Sequence, residues 1–342
     1  MAENGKNKSS ANAGQNTPFA GGKLIILTGP TAVGKTALSV ELAKRIGGEI
    51  VSADSMQVYR GMDIGSAKVT REEMQGVPHY LIDELEPTEE FHVVRFQECA
   101  KRYIREIQSR GKLPILVGGT GFYIQAVLYD IDFTENGGDT SYRAHLEQLA
   151  RDRGAGTLHD MLREVDAASA EAIHANNIKR VIRALEYFHE TGQKISEHNE
   201  EERQKSSPYN FAYFVLNDER ARVYERIDRR VDQMLAQGLV EEVRRLQAQG
   251  CTREMVSMQG LGYKEILDYL NGEMSLEEAV RVIKRDTRHF AKRQITWFKR
   301  ERDVTWIPWQ EYGYDQKAVL EAMISVLRER GIVITEPCSD LS

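Results

Sequence analysis

Leu24-Ile25-Ile26-Leu27-Thr28-Gly29-Pro30-Thr31-Ala32-Val33-Gly34-Lys35-Thr36 is the stretch that decides the fold. An apolar, β-branched run hands over to G-x-x-x-x-G-K-T, and Ala37-Leu38-Ser39-Val40-Glu41-Leu42-Ala43 follows with helical spacing. Strand, glycine-rich turn and helix in that order make a P-loop. Such a loop calls for a ligand with at least two linked phosphates. Its backbone N–H groups and the helix N-terminus favour an anion there. Lys35 adds a point charge, and the Thr36 hydroxyl suits Mg²⁺. The residues expected on the phosphates are Gly29, Pro30, Thr31, Ala32, Val33, Gly34, Lys35 and Thr36. The loop alone does not say which phosphate compound binds, or whether a phosphoryl group moves.

Outward from the loop, the first third of the chain alternates. Strand-like runs at residues 24–27, 49–52, 80–82 and 114–117 are separated by helix-like runs at 36–46 and about 93–110. This βαβα order predicts an α/β fold, a P-loop NTPase-like parallel sheet with helices on both faces. Residues 130–141, with Asn136-Gly137-Gly138-Asp139, read as a loop; 142–198 read as helical and charged, broken at Gly154, Gly156 and Gly192. Residues 211–216 read as a strand that returns to the parent sheet. Helices are expected at about 220–237, 239–249, 263–270, 276–302 and 316–330, with a short strand at 304–306. The expected organisation is a disordered lead-in at 1–20, a core domain formed by 21–135 and 208–335, and a mostly helical insertion at 136–207. The tail from Pro337 is expected to be loose.

Bulk properties fit this picture. At 342 residues the chain can bury a large core. No apolar stretch approaches the roughly 18 residues of a membrane span, and the lead-in lacks the apolar segment of a secretory signal. Cys99, Cys251 and Cys338 are odd in number and far apart, which suggests neither a disulfide framework nor a zinc site. A reducing cytoplasm and a monomer are the expected setting. The net charge of −6 argues mildly against nucleic acid, yet residues 281–303 carry nine Lys or Arg against three acids. Phe290, Trp297 and Phe298 are interleaved with them. The segment reads either as a track for a phosphate backbone or as a solvated amphipathic helix.

Two further segments belong on the ligand rim, because ligands in such sheets bind at the carboxyl ends of the strands. The first is Ser52-Ala53-Asp54-Ser55-Met56-Gln57-Val58-Tyr59. Asp54 beside a phosphate site can hold Mg²⁺ through water or accept a proton, or it can be an ordinary turn residue. The second is Gly118-Gly119-Thr120-Gly121. It either lets backbone approach a ligand or forms a tight turn with Thr120 as helix N-cap.

Together, these rim segments closely resemble the tRNA dimethylallyltransferases. The resemblance runs on through Pro78-His79-Tyr80-Leu81-Ile82-Asp83, Arg183-Ala184-Leu185-Glu186, Gly238-Leu239-Val240-Glu241-Glu242-Val243 and Gly262-Tyr263-Lys264-Glu265. It resumes at Thr287-Arg288-His289-Phe290-Ala291-Lys292-Arg293-Gln294-Ile295-Thr296-Trp297-Phe298 and covers roughly residues 23–306. Tyr80 and Ser66 depart from the family pattern, outside any inferred chemical role. No Cys/His pair resembles a C-terminal zinc finger, which fits the bacterial branch.

The resemblance implies a reaction. A dimethylallyl group moves from dimethylallyl diphosphate to N6 of the tRNA adenosine immediately 3′ of the anticodon, and diphosphate leaves. It implies that the P-loop holds a departing diphosphate, with Mg²⁺ on Thr36. Catalytic roles fall to Asp54, Thr31, Lys35 and Arg220, with Arg220 as a second cation or merely a solvated arginine. A carboxylate with a pKa of about 4 is a weak base, so Asp54 is expected to orient N6 and take its proton during or after bond formation. The adenosine must leave its stack to reach the donor. Asp54, Ser55, Met56, Gln57 and Thr120 are implied as its readers, and Arg143, Lys179, Arg180, Val181, Ile182 and Arg183 as further contacts to the tRNA anticodon stem-loop. The runner-up is an ATP-dependent P-loop small-molecule kinase. It uses the loop and Asp54 equally well but leaves the Asp-Ser-Met-Gln-Val-Tyr and Lys-Arg-Gln-x-Thr-Trp-Phe segments unexplained.

Overall fold

The 24–27 run forms the middle of a sheet. In the computed structural model, which describes residues 20–133 and 140–333, β1 (Lys23–Thr28) leads through the loop into α1 (Lys35–Ile46). There follow β2 (Gly48–Ser52), α2 (Arg71–Met74), β3 (His79–Tyr80), α3 (Val93–Ser109), β4 (Leu113–Gly118) and α4 (Gly121–Leu128). Five helices come next: α5 (Thr140–Arg153), α6 (Ala155–Val165), α7 (Ala167–Ala172), α8 (Ile178–Thr191) and α9 (Ile195–Gln204). Then β5 (Asn210–Asn217), α10 (Arg220–Ala236), α11 (Leu239–Ala248), α12 (Tyr263–Leu270), α13 (Leu276–Phe298), β6 (Val304–Pro308) and α14 (Gln316–Glu329) complete the described chain.

The sheet has six strands in the order β3-β2-β4-β1-β5-β6, and every pairing is parallel. Because helices cover both faces, β1 is apolar at successive positions rather than alternate ones. Leu24 and Ile26 pack into the cluster on one face, and Ile25 and Leu27 into the cluster on the other. Truncating one of these side chains to alanine should cost about 2–5 kcal/mol. β5 lies beside β1, so the chain does return to the sheet after α9.

Helices α5–α9 build a separate apolar cluster around Leu146, Leu158, Leu162, Val181 and Leu185. Gly154 and Gly192, both at positive φ, mark the breaks between α5 and α6 and after α8.

Several sequence expectations need correction. α13 ends at Phe298, where Lys299 caps it, and not near Arg302. β3 is two residues at the sheet edge, and α2 and α4 were not foreseen. The lead-in before Ala20, the tail after Val333 and the Asn136–Asp139 turn lie outside the described residues. Among the described residues no helix is long and apolar enough to cross a membrane.

Candidate active site

Parallel pairing brings the carboxyl ends of β1, β2 and β4 to one edge, so the three sequence segments meet. The meeting is close. Ala53 N–H donates to Val117 O at 2.8 Å, and a Cβ on Gly118 would stand 2.2 Å from Ala53 O. Only glycine allows that approach, so the Asp54 turn and the Gly118–Thr120 turn lie against each other. Gly34, at φ 101°, turns the phosphate loop into α1.

Lys35 Nζ donates to the loop's own carbonyls, Gly29 O at 2.9 Å and Pro30 O at 2.8 Å. Burial and the nearby Arg230 guanidinium lower its pKa to about 7, while Asp54 pulls it upward. An anion in the loop would remove that penalty and hold Lys35 protonated.

Asp54 forms the turn that is one of the two readings the sequence left open. Its Oδ1 accepts from Met56 N–H at 2.8 Å and Gln57 N–H at 3.3 Å, a local turn. Its Oδ2 accepts no hydrogen bond among the described residues. Burial raises the Asp54 pKa against the opposing pull of those two N–H groups and Lys35. The turn fixes the carboxyl while burial makes it a stronger base than a solvated aspartate. Thr120 sits at the N-cap position of α4 without using its hydroxyl to cap.

Two site residues escaped the sequence reading. Gln294 on α13 is buried between the turns. Its Oε1 accepts from Thr31 N–H at 2.9 Å and its Nε2 donates to Gly119 O at 2.9 Å. One side chain thus ties the phosphate loop to the β4 turn. Arg230 is the other. Val223 and Ile227 pack against Ala32 of the loop, and Arg230 continues that face of α10 one turn on. Its side chain reaches solvent, yet surrounding protein lowers its pKa by desolvation, with only Glu73 opposing. Arg230, not Arg220, is the cation that acts on Lys35. Arg220 instead donates from Nε to Tyr224 OH at 2.9 Å and lies over that ring.

The residues beside Asp54 are held from behind. Gln57 Nε2 donates to Ala67 O at 3.2 Å, which turns its amide toward the 66–67 backbone. Glu242, buried on α11, accepts from the N–H groups of Asp63, Ile64 and Gly65 at 2.9–3.1 Å and from Tyr263 OH at 2.8 Å. Segments 238–243 and 262–265 therefore act as scaffold for the loop after Asp54, with no side chain at the rim required of them. Ser55 and Met56 are half-buried, Met56 packing against Gly260.

The expected RNA contacts in the helical segment divide. Lys179 and Arg180 are exposed and Arg183 half-buried, none with a carboxylate partner among the described residues. Val181 and Ile182 are corrected: their side chains are 0% and 2% exposed, packed inside the α5–α8 cluster. Arg143 is held in a two-pronged ion pair with Glu186, at 2.8 and 2.6 Å, so an RNA phosphate would have to compete for it.

Fold and rim together define a P-loop-like α/β protein whose phosphate loop faces a carboxylate. The model of the IPP transferase family matches residues 57–301, and the chain belongs to that family. It is 65% identical to a tRNA dimethylallyltransferase of Lachnoclostridium phytofermentans over 91% of this chain and 99% of the relative. It is 51% identical to one of Acetivibrio thermocellus, over 86% and 95%. Among solved structures, the full-length tRNA isopentenylpyrophosphate transferase of Bacillus halodurans matches with TM-score 0.68 and 46% identity, over 91% of this chain and 98% of that one. A eukaryotic dimethylallyltransferase acting on tRNA matches with TM-score 0.78 and 28% identity, over 92% and 81%.

Proposed function

We propose that this enzyme transfers a dimethylallyl group from dimethylallyl diphosphate to N6 of the adenosine immediately 3′ of the anticodon, in tRNAs reading codons that begin with U, within the cytoplasm. The observation that carries the residue assignment is the convergence of Lys35, Arg230 and a raised-pKa Asp54 with one free oxygen at a single rim.

N6 is a poor nucleophile because its lone pair is delocalised into the adenine ring. The allylic donor compensates, since its alkene spreads positive charge as the leaving group departs. The C1–O bond breaks, its electron pair leaving with diphosphate, and the C1–N6 bond forms. Lys35, Arg230 and the loop N–H groups stabilise the departing charge. Asp54 Oδ2 takes the N6 proton as nitrogen becomes acidic, while Oδ1 stays fixed in its turn. Thr31 and Thr120 line the path between the two substrates.

Among the described residues no three His, Cys, Asp or Glu form a metal cage. Mg²⁺ takes few protein ligands and keeps several waters, so the exposed Thr36 hydroxyl and the donor's phosphate oxygens suit it. It would supply charge neutralisation to the departing diphosphate.

The test is a mass measurement on unmodified anticodon stem-loop RNA incubated with dimethylallyl diphosphate and Mg²⁺. A prenyl mass gain without ATP is expected; ATP consumption with unchanged RNA would favour the kinase instead. Asp54→Ala should lower turnover by roughly 10²–10⁴-fold and RNA affinity by far less. Equal losses in both would make Asp54 a binding residue only.

A further inference from the structure

Large apolar side chains are normally covered, and among the described residues only Phe122 and Val256 stand exposed, at 43% and 44%. Val256 lies in a turn among unrelated residues. Phe122 lies two residues beyond Thr120, at the start of α4, on the rim already described. Its position is enforced. A Cβ on Gly121 would stand 2.3 Å from Trp297, so α4 and α13 approach as closely as glycine permits. Phe122 then meets Trp297 edge-to-face, with ring centroids 6.3 Å apart and planes at 72°. Phe133 meets it from another side at 5.7 Å and 81°. Two perpendicular neighbours brace the ring without covering it.

Cations gather on the same wall. Trp297 forms one side of an open depression of about 370 Å³, whose other walls are His289, Lys292, Arg293, Thr296 and Arg300. Lys292, Arg293 and Arg300 have no carboxylate partner among the described residues. A braced, solvent-facing aromatic beside unneutralised cations fits a flexible polyanion that carries flat rings. A double helix hides its base faces, so the ligand chemistry is an unpaired nucleotide segment.

Resting on the transferase reading above, we propose that Phe122 is a stacking platform for an unpaired base adjoining the reacting adenosine, with Lys292, Arg293 and Arg300 on its phosphates. The path from Asp54 through Thr120 to Phe122 follows one edge of the sheet. When the adenosine leaves its stack, its neighbour loses a stacking partner, and Phe122 replaces it. The platform therefore favours the open RNA loop over the stacked one, and its binding energy offsets the cost of extrusion.

The test uses the full chain and stem-loop RNAs carrying 2-aminopurine on either side of the reacting adenosine. Stacking quenches this fluorophore. Wild type should quench it at one flanking position; Phe122→Ala should abolish that quenching and weaken RNA binding roughly tenfold to a hundredfold. Phe122→Trp should restore both, which loss of bulk alone does not predict. An abasic site at the quenched position should erase the difference between wild type and Phe122→Ala. Affinity for dimethylallyl diphosphate without RNA should stay unchanged in every variant. Unaltered quenching in Phe122→Ala would overturn the proposal. So would weakened donor binding with RNA binding intact, which would make Phe122 a wall for the prenyl chain. Failure of wild type to bind the RNA at all would instead strike the transferase reading on which the platform rests.

Discussion

Helix α13 has two halves that look alike in composition and behave differently. In the first, each cation meets an acid: Arg281 with Glu278, Lys284 with Asp232 at 2.6 Å, Arg285 with Asp286 at 2.7 Å, and Arg288 with Asp228 at 2.6 Å. In the second and just past its end, Lys292, Arg293, Lys299 and Arg300 carry no such pairing among the described residues. The two stretches therefore differ in pairing, not in composition. The first is a solvated face knitted partly to α10; the second is an unneutralised cationic track. A run of charge says little about a ligand until its partners are known, because a paired cation offers no net field.

The second half also has an inner face. Gln294 reaches the phosphate loop and the β4 turn from the helix that points Lys292 and Arg293 outward. The largest effect is expected at Gln294. Gln294→Leu removes both hydrogen bonds, and misplacing the loop by an ångström should lower single-turnover prenylation about 100-fold. Gln294→Glu retains an acceptor for Thr31 N–H but no donor for Gly119 O, and should fall between. Unaltered turnover would separate the inner face from the chemistry.

A second test compares the halves directly. Lys292→Glu with Arg293→Glu should weaken stem-loop RNA binding roughly tenfold to a hundredfold and flatten its salt dependence. Arg281→Gln with Glu278→Gln, which removes a whole ion pair and no net charge, should move it by no more than about threefold. Equal losses, read from titrations at several salt concentrations, would dissolve the distinction.

The smallest effect lies just past the helix. Glu301 accepts from Gln125 Nε2 at 2.9 Å, while its Oε2 and Trp297 Nε1 are buried without well-formed partners. Burial raises its pKa to about 7, against Trp297, Gln125 and Arg302, which lower it. Between the ordinary value of 4.5 and about 7 the folded state keeps a proton that the unfolded chain releases. Wild-type stability should therefore fall as pH rises through that window. Glu301→Gln removes the titration, and should exceed wild type by on the order of 2 kcal/mol at pH 8, with the gap closing below pH 4.5. Denaturant midpoints across pH measure it; a gap independent of pH would contradict the assignment.

The same contrast shows what was legible. β1, the phosphate loop and α1 could be read because their signals are local: an apolar run, glycines at fixed spacing, a helical period. Asp54 and Thr120 followed because parallel strands must end on one rim. Gln294 stayed hidden because its partners lie 263 and 175 residues away. Arg230 is not legible in the sequence, because its effect on Lys35 depends on how α10 lies against the phosphate loop. Val181 and Ile182 were swept in with their basic neighbours, although the helical period alone could have assigned them to the core.

By itself the sequence determined the parallel sheet, the phosphate loop at its centre and the family to which the chain belongs. These rest on short-range pattern, where backbone sterics and apolar periodicity act within a few residues. Only the tertiary structure decided which cation stands by Lys35, which amide clasps the loop, how burial strengthens Asp54 as a base and which of nine neighbouring basic residues remain unpaired. Each of those depends on desolvation or on a partner far along the chain, and folding alone supplies both.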